Sequence, residues 1–229
     1  MESRELYLYK SLYGFYKIYV TKTSQLLYKD LQRSKRVHKK KWINKPFEHA
    51  LFDILAHSVR EVAQERFDKY FNNSTFIFLY SAFESDLRQA CSGIQREKNY
   101  KLGIKDLDGA NYIEKSHKFL TKVAELDLAA YNKDWKELRD YQAIRNLIAH
   151  NASFLPVEKH NESVGKIILN NPYMQFDEET NVFHISDIKF LLDFCDTAAQ
   201  YLDNIANEYE KISPKINPLD NTESSDSFS

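Results

Sequence analysis

Only five glycines and five prolines punctuate 229 residues. Chains with many tight turns, such as β-sandwiches and barrels, depend on these residues at their turns, so the scarcity points to long uninterrupted helices. The apolar pattern agrees. Leu6, Tyr9, Tyr13, Tyr16, Val20 and Leu27 recur mainly at three- and four-residue steps and predict a first helix over residues 5–31. Phe47, Leu51, Ile54, Leu55, Val59, Val62 and Phe67 predict a second helix over 46–71, opened by Pro46 and closed at Asn72-Asn73-Ser74. Ser74 or Thr75 is read as the cap of a third helix that Gly93 stops. Further helices are expected over 112–130 and 133–150, before Pro156.

Strand signals come late. Residues 164–170 (VGKIILN) and 181–186 (NVFHIS) predict a small β-hairpin around Asn170-Asn171-Pro172 and an acidic turn. Ser186 or Asp187 then caps a last helix, and Pro214 and Pro218 open a polar tail, residues 213–229, expected to be disordered. The expected fold class is all-α, a helical bundle with a small β-hairpin before the last helix. No repeat or long linker divides it into separate cores.

Composition narrows the function. Lys+Arg 32 against Asp+Glu 33 leave a net charge of -1, so no whole-molecule field captures nucleic acid or an anionic membrane, and any such contact must be local. No run approaches the length of a membrane span, and the N-terminus alternates charge with tyrosine where a secretory signal would be apolar. A soluble, cytoplasmic protein without membrane contact is expected. Cys91 and Cys195 lack any zinc or disulfide spacing and are read as core residues. His49, His57, His117, His160 and His184 are scattered without ligand spacing, so no metal is expected. Glycine-rich phosphate loops and the serine-hydrolase elbow are missing too, and no cofactor is indicated.

The segment DYQAIRNLIAHNAS, residues 140–153, carries the chemistry. With Ile144 at zero and about 100° per residue, Leu147 falls at about 300° and Ile148 at about 40°, which defines a buried face. Asn146 at about 200°, Arg139 at about 220°, His150 at about 240° and Gln142 at about 160° form the polar face, with Arg145 on its flank at about 100°. Histidine exchanges protons near neutrality, and arginine offers a fork of donors to phosphate oxygens. Together with an amide, that set suits metal-independent RNA cleavage, in which the 2′-OH attacks the adjacent phosphodiester. Ala143 and Ala149 are small enough for close approach of a partner. Spacing alone is weak: nine Arg and seven His make about 0.3 Arg-x4-His pairs by chance, and Arg33/His38 is such a decoy, without the apolar register around it.

Arg145-Asn146-Leu147-Ile148-Ala149-His150 resembles the Arg-(x4 to x6)-His motif of HEPN proteins, the higher eukaryotes and prokaryotes nucleotide-binding family, in which a polar residue often follows the Arg. Residues 80–90, YSAFESDLRQA, are similar to the family's early core helix with its embedded acidic residue, and the hairpin and final helix follow the motif as in that family. The resemblance covers residues 74–211. It implies a HEPN-like domain over 74–212, with residues 1–73 as an N-terminal helical extension packed on the core. It further implies a homodimer in which two motif helices face each other to form one ribonuclease site, often in toxins, abortive-infection effectors and antiviral nucleases. His150 would then be the general acid/base, Arg145 would orient or neutralise phosphate, and Asn146 would position the reacting group. Glu84 would be a supporting acid, although an ordinary i,i+4 ion pair with Arg88 accounts for it somewhat better. An antitoxin or defence-system partner also follows from the resemblance.

Other readings stand beside this one. The basic run RSKRVHKKK, residues 33–41, is expected as an exposed connector; Arg33, Lys35, Arg36, Lys39, Lys40 and Lys41 could hold an RNA backbone, with Trp42 stacking a base, or simply be solvated. The six tyrosines of the first helix suit packing or dimer contacts better than base stacking. A catalytically silent HEPN-like module binding RNA, a nucleotide or a protein partner is one alternative, and a scaffold dimerising through its first helix is another.

Overall fold

The computed structural model describes the backbone of residues 3–42 and 47–212, with side chains over 9–30, 32–33 and 69–212. The fold is mostly helical, with one two-stranded antiparallel sheet before the last helix, as expected. Helix α1 spans Ser3–Trp42 and α2 spans Phe47–Glu97. A short α3, Tyr112–Lys118, runs into a π turn, Phe119–Val123. Then come α4 (Asn132–Asn151), α5 (Ser163–Asn170), β1 (Met174–Asp177), β2 (Val182–Ile185) and α6 (Lys189–Ile212).

Five local expectations change. The basic run is not a connector: α1 continues through it, since Lys and Arg are good helix formers and like-charge neighbours cost only tenths of a kcal/mol. The second and third predicted helices are one. Asn72-Asn73-Ser74 lies mid-helix, with Asn72 and Asn73 buried and bonded to other elements, while Ser74 Oγ donates to the Tyr70 carbonyl at 2.6 Å. Gly93 does not stop α2; the chain turns at Asn99, whose φ of 52° is left-handed. The helix expected to reach residue 130 ends at Val123, because Glu125 adopts φ 54° and Leu126 and Leu128 turn into the core from a loop.

The fifth change concerns VGKIILN, which is helix α5 rather than a strand. Val164 and Ile168, four apart, are both buried, with Ile167 packed beside them. Gly165 permits the close packing: a Cβ there would lie 2.1 Å from the Lys159 carbonyl oxygen. The first strand of the hairpin is instead Met174–Asp177, and the second, Val182–Ile185, lies within the expected 181–186; Met174 pairs with Ile185 and Asp177 with Val182. Asp187 caps the start of α6, accepting from Lys189 N–H at 2.8 Å, as predicted.

The core is aromatic. Phe76, Tyr80 and Phe83 of α2, Tyr141 of α4, and Phe190 and Phe194 of α6 meet mostly edge to face at centroid distances from 5.1 to 6.2 Å. Helix α1 lies against α6, with Tyr13 and Val20 fully buried in the same core. Lys17–Asp196 at 2.6 Å, Lys10–Asp203 at 2.9 Å and Tyr13 Oη donating to Asp86 at 3.2 Å tie it down. Helix α1 is thus packed on the rest, and the division expected between residues 73 and 74 falls inside α2. Cys91 and Cys195 are buried and unbridged, as predicted. No helix among the described residues is long and apolar enough to cross a membrane. Residues 213–229 lie outside the described residues.

Candidate active site

Helix α4 positions the motif residues. Ile144, Leu147 and Ile148 are buried and Asn146, His150 and Arg139 are exposed, as the angular reading predicts. The buried arc is wider than predicted, however. Leu138 and Tyr141 pack on the far side of Ile144, and Gln142, expected on the polar face, is 8% exposed. Arg145 therefore lies inside the packed arc rather than on its edge. It is half-buried against α2, and its Nε is buried with no partner among the described residues. Its Nη1 reaches outward and donates to Asn146 Oδ1 at 3.1 Å.

Glu84 and Tyr80, one turn apart on α2, face Arg145. Burial pushes the Glu84 carboxyl up, and the positive charges of Arg145 and then Arg88 pull it back. The expected side-chain pairing with Arg88 is not its main interaction: Arg88 Nε donates to the Glu84 backbone carbonyl at 3.3 Å, and its guanidinium lies over the Tyr112 ring. Burial also raises the Tyr80 hydroxyl, with Glu84 adding to the effect, and that hydroxyl is buried without a partner among the described residues. Glu84, Tyr80 and the inner part of Arg145 thus form one polar cluster within an aromatic wall.

His150 stands apart from this cluster. Five positions along a helix rotate by about 140°, so Arg145 turns toward α2 while His150 points outward. The structure brings Arg145 together with Asn146 and Glu84, and does not bring it to His150 within one chain.

The turn that ends α4 is held firmly. Ala152 and Ser153 adopt φ of 50° and 65°, a conformation that costs about 1 kcal/mol or more for residues with a Cβ. Compensating bonds surround it: Ser153 N–H donates to the Leu147 carbonyl at 3.0 Å, and Phe183 N–H of β2 donates to the Ser153 carbonyl at 3.0 Å. Asn73 Nδ2 donates to Ser153 Oγ at 2.9 Å, while its Oδ1 accepts from Ile185 N–H at 3.0 Å. Asn72 Nδ2 adds a bond to the Ile185 carbonyl at 3.0 Å. Sequence reasoning missed this brace; its signal was two amides inside an otherwise unbroken amphipathic pattern.

A second arrangement escaped the sequence too. His117 shares a hydrogen bond of 2.7 Å between Nδ1 and Tyr201 Oη, and stacks on Trp135 at 4.1 Å with planes 6° apart. Burial pushes its basicity down, and Arg139 pushes it further. Of the proposed RNA-backbone residues, Arg33 is exposed near the end of α1, and the side chains of Lys35, Arg36, Lys39, Lys40 and Lys41 lie outside the described residues. Among the described residues no His, Cys, Asp and Glu side chains gather into a group able to hold a metal ion. Comparisons of the chain with known protein families, with curated proteins and with solved structures each find no match.

Proposed function

We propose that the protein is a metal-independent endoribonuclease of HEPN type, acting in the cytoplasm as a homodimer in toxin or anti-phage defence. The observation that carries this reading is the outward presentation of Asn146 and His150 on one face of α4, with the Arg145 fork bonded to Asn146 and the helix end braced by Asn73. A single chain holds half a site, since Arg145 and His150 diverge. A second α4 laid across the first, with Ala143 and Ala149 admitting close approach, would let each chain contribute what the other directs elsewhere.

In that site His150 takes the proton of a ribose 2′-OH, which attacks the adjacent phosphorus. A protonated His150, from the other chain, gives a proton to the departing 5′-oxygen. Arg145 meets the phosphate oxygens as charge develops on them, with Asn146 aligning the group and Glu84 backing the guanidinium. The products are 2′,3′-cyclic phosphate and 5′-OH ends. A net charge of -1 demands that dimerisation concentrate the cations locally.

Purified protein is expected to cut unstructured RNA in EDTA, leaving those ends. Equal cutting by a folded His150→Ala protein would sink the assignment. The divergence of Arg145 and His150 in one chain equally favours a silent HEPN-like module that binds RNA, a nucleotide or a protein partner. RNA binding that Arg145→Ala abolishes, with no cleavage of any RNA, would decide for that module. An antitoxin or defence-system partner belongs to the same proposal.

A further inference from the structure

The other end of α4 borders a cavity of about 620 Å³ between α3, its π turn and the first turns of α4. Trp135, His117, Arg139, Lys118, Lys122 and Asn132 contribute to its lining. The rings here are ordered before any ligand arrives. His117 and Tyr201 are joined edge to edge by their 2.7 Å bond, and both lie roughly parallel to the Trp135 indole, at 4.1 and 5.8 Å between centroids. They pave one side of Trp135, and no described aromatic contact covers the other.

The cavity also contains cations in different states of commitment. Arg139 is steadied by Glu114 at 3.4 Å, and Lys118 donates to the Asp108 carbonyl at 3.1 Å. Lys122 is exposed, on the π turn, and no described hydrogen bond or ion pair engages it. Three acidic residues share the lining: Glu114 is taken by Arg139, Asp127 Oδ1 accepts from Ala129 N–H at 3.2 Å, and Asp108 sits beside Lys118, which donates to its backbone carbonyl. An aromatic platform beside a cation with no acidic partner fits a heteroaromatic ring carrying a phosphate.

The position on α4 identifies the source of that ring. Trp135, Arg139, Asn146 and His150 fall within about 60° of one another around the helix, so one exposed stripe joins the cavity to the motif. Arg139 and His150 are separated by about 16 Å of helix rise, a distance that a few linked nucleotides bridge.

We infer that this cavity is a base-binding subsite for single-stranded RNA: a nucleobase stacks on the face of Trp135 opposite His117, Asn132 bonds its edge, and Lys122 and Arg139 meet the adjoining phosphate. The inference rests on the ribonuclease reading for the direction of the strand along α4, and the subsite itself can be tested without catalysis.

The test uses full-length His150→Ala protein, so that RNA stays intact, and a fluorescent unstructured hexaribonucleotide followed by anisotropy. Trp135→Leu in this background is expected to weaken binding about tenfold, with Trp135→Phe retaining most of it. Lys122→Gln, at an exposed position, is expected to weaken binding a few-fold and to flatten its salt dependence. A free mononucleotide should compete only at far higher concentration; competition at concentrations equal to the hexamer overturns the strand assignment. Unchanged affinity in folded Lys122→Gln and Trp135→Leu proteins overturns the subsite. Should Trp135→Leu not fold, Lys122→Gln alone decides. Cleavage by wild type that depends on His150 but is indifferent to Trp135→Leu at low RNA concentration removes the subsite and leaves the ribonuclease. Trp135-dependent binding without cleavage of any RNA removes the ribonuclease and leaves the subsite.

Discussion

Histidines at the two ends of α4, His117 of α3 and His150 of α4 itself, are held in opposite ways. Near the start of the helix, His117 is held by Tyr201 and stacked on Trp135, so its ring is fixed by its own chain. At the far end His150 is exposed, and its helical neighbour Arg145 is turned toward Glu84. One end is organised in the single chain; the other presents reactive groups whose arrangement depends on what comes to lie against them. Orientation by neighbours suits recognition, whereas exposure suits a site completed by a second copy.

The largest effect expected of any single change lies at the exposed end. His150→Ala should lower RNA cleavage by at least about a hundredfold, the usual worth of a general acid/base, while leaving thermal stability unchanged. Single-turnover cleavage rates with a parallel melting curve measure both. A stability loss accompanying the activity loss would show that His150 is braced like His117 and erase the contrast.

Asn73→Ala attacks the brace behind the motif. It removes the acceptor of Ile185 N–H and the donor to Ser153 Oγ, both buried, and should destabilise the fold by about 3 kcal/mol in urea unfolding. The His117 end should be untouched: hexamer affinity in the His150→Ala background should survive Asn73→Ala wherever the protein remains folded.

A smaller effect is expected at Glu84. Burial raises its folded pKa above the unfolded value, so the native state binds the proton more readily and loses stability as pH rises through the folded pKa. Glu84→Gln should therefore raise the neutral-pH melting temperature by about 1–2 °C, an advantage that shrinks as pH falls toward 4. It should at the same time slow cleavage by loosening Arg145. A drop in melting temperature at neutral pH would mean that Arg145 attracts the carboxylate by more than burial costs it.

The smallest effect is at His117. Its folded pKa is depressed, so the native state binds fewer protons than the unfolded chain. Its stability contribution is whole above about pH 6.5 and declines as pH falls through the folded value. Comparing wild type with His117→Gln from pH 7.5 to 5 by thermal melting should show a shallower decline in the variant. Identical slopes would imply that the stacked ring is as exposed as His150.

Much of α4 was legible in the chain because its apolar residues carry a clear 3.6-residue period: Ile144, Leu147 and Ile148 went inward and Asn146 and His150 outward as predicted. Gln142 and Arg145 were misjudged because three buried residues define the centre of a face but not its width, which depends on how many helices close around it. The Asn72-Asn73 pair was misread for a related reason. Side-chain amides compete with the helix only when their partners are local, and here the partners are the backbone of β2 and Ser153. VGKIILN carries β-branched residues that favour strand and an i,i+4 spacing that favours helix; packing of Gly165 against residues 159–160 selected the helix.

The chain by itself determined a helical architecture, because so few glycines and prolines interrupt its apolar periodicity, and it determined which face of α4 carries Asn146 and His150. Only the tertiary structure decided that Arg145 leans on Glu84, that Asn73 braces the motif turn and that His117, Trp135 and Tyr201 share one stack. Periodicity is a property of neighbours along the chain, whereas these pairings join residues from 18 to more than 100 positions apart, and no local pattern encodes which helix a side chain will meet.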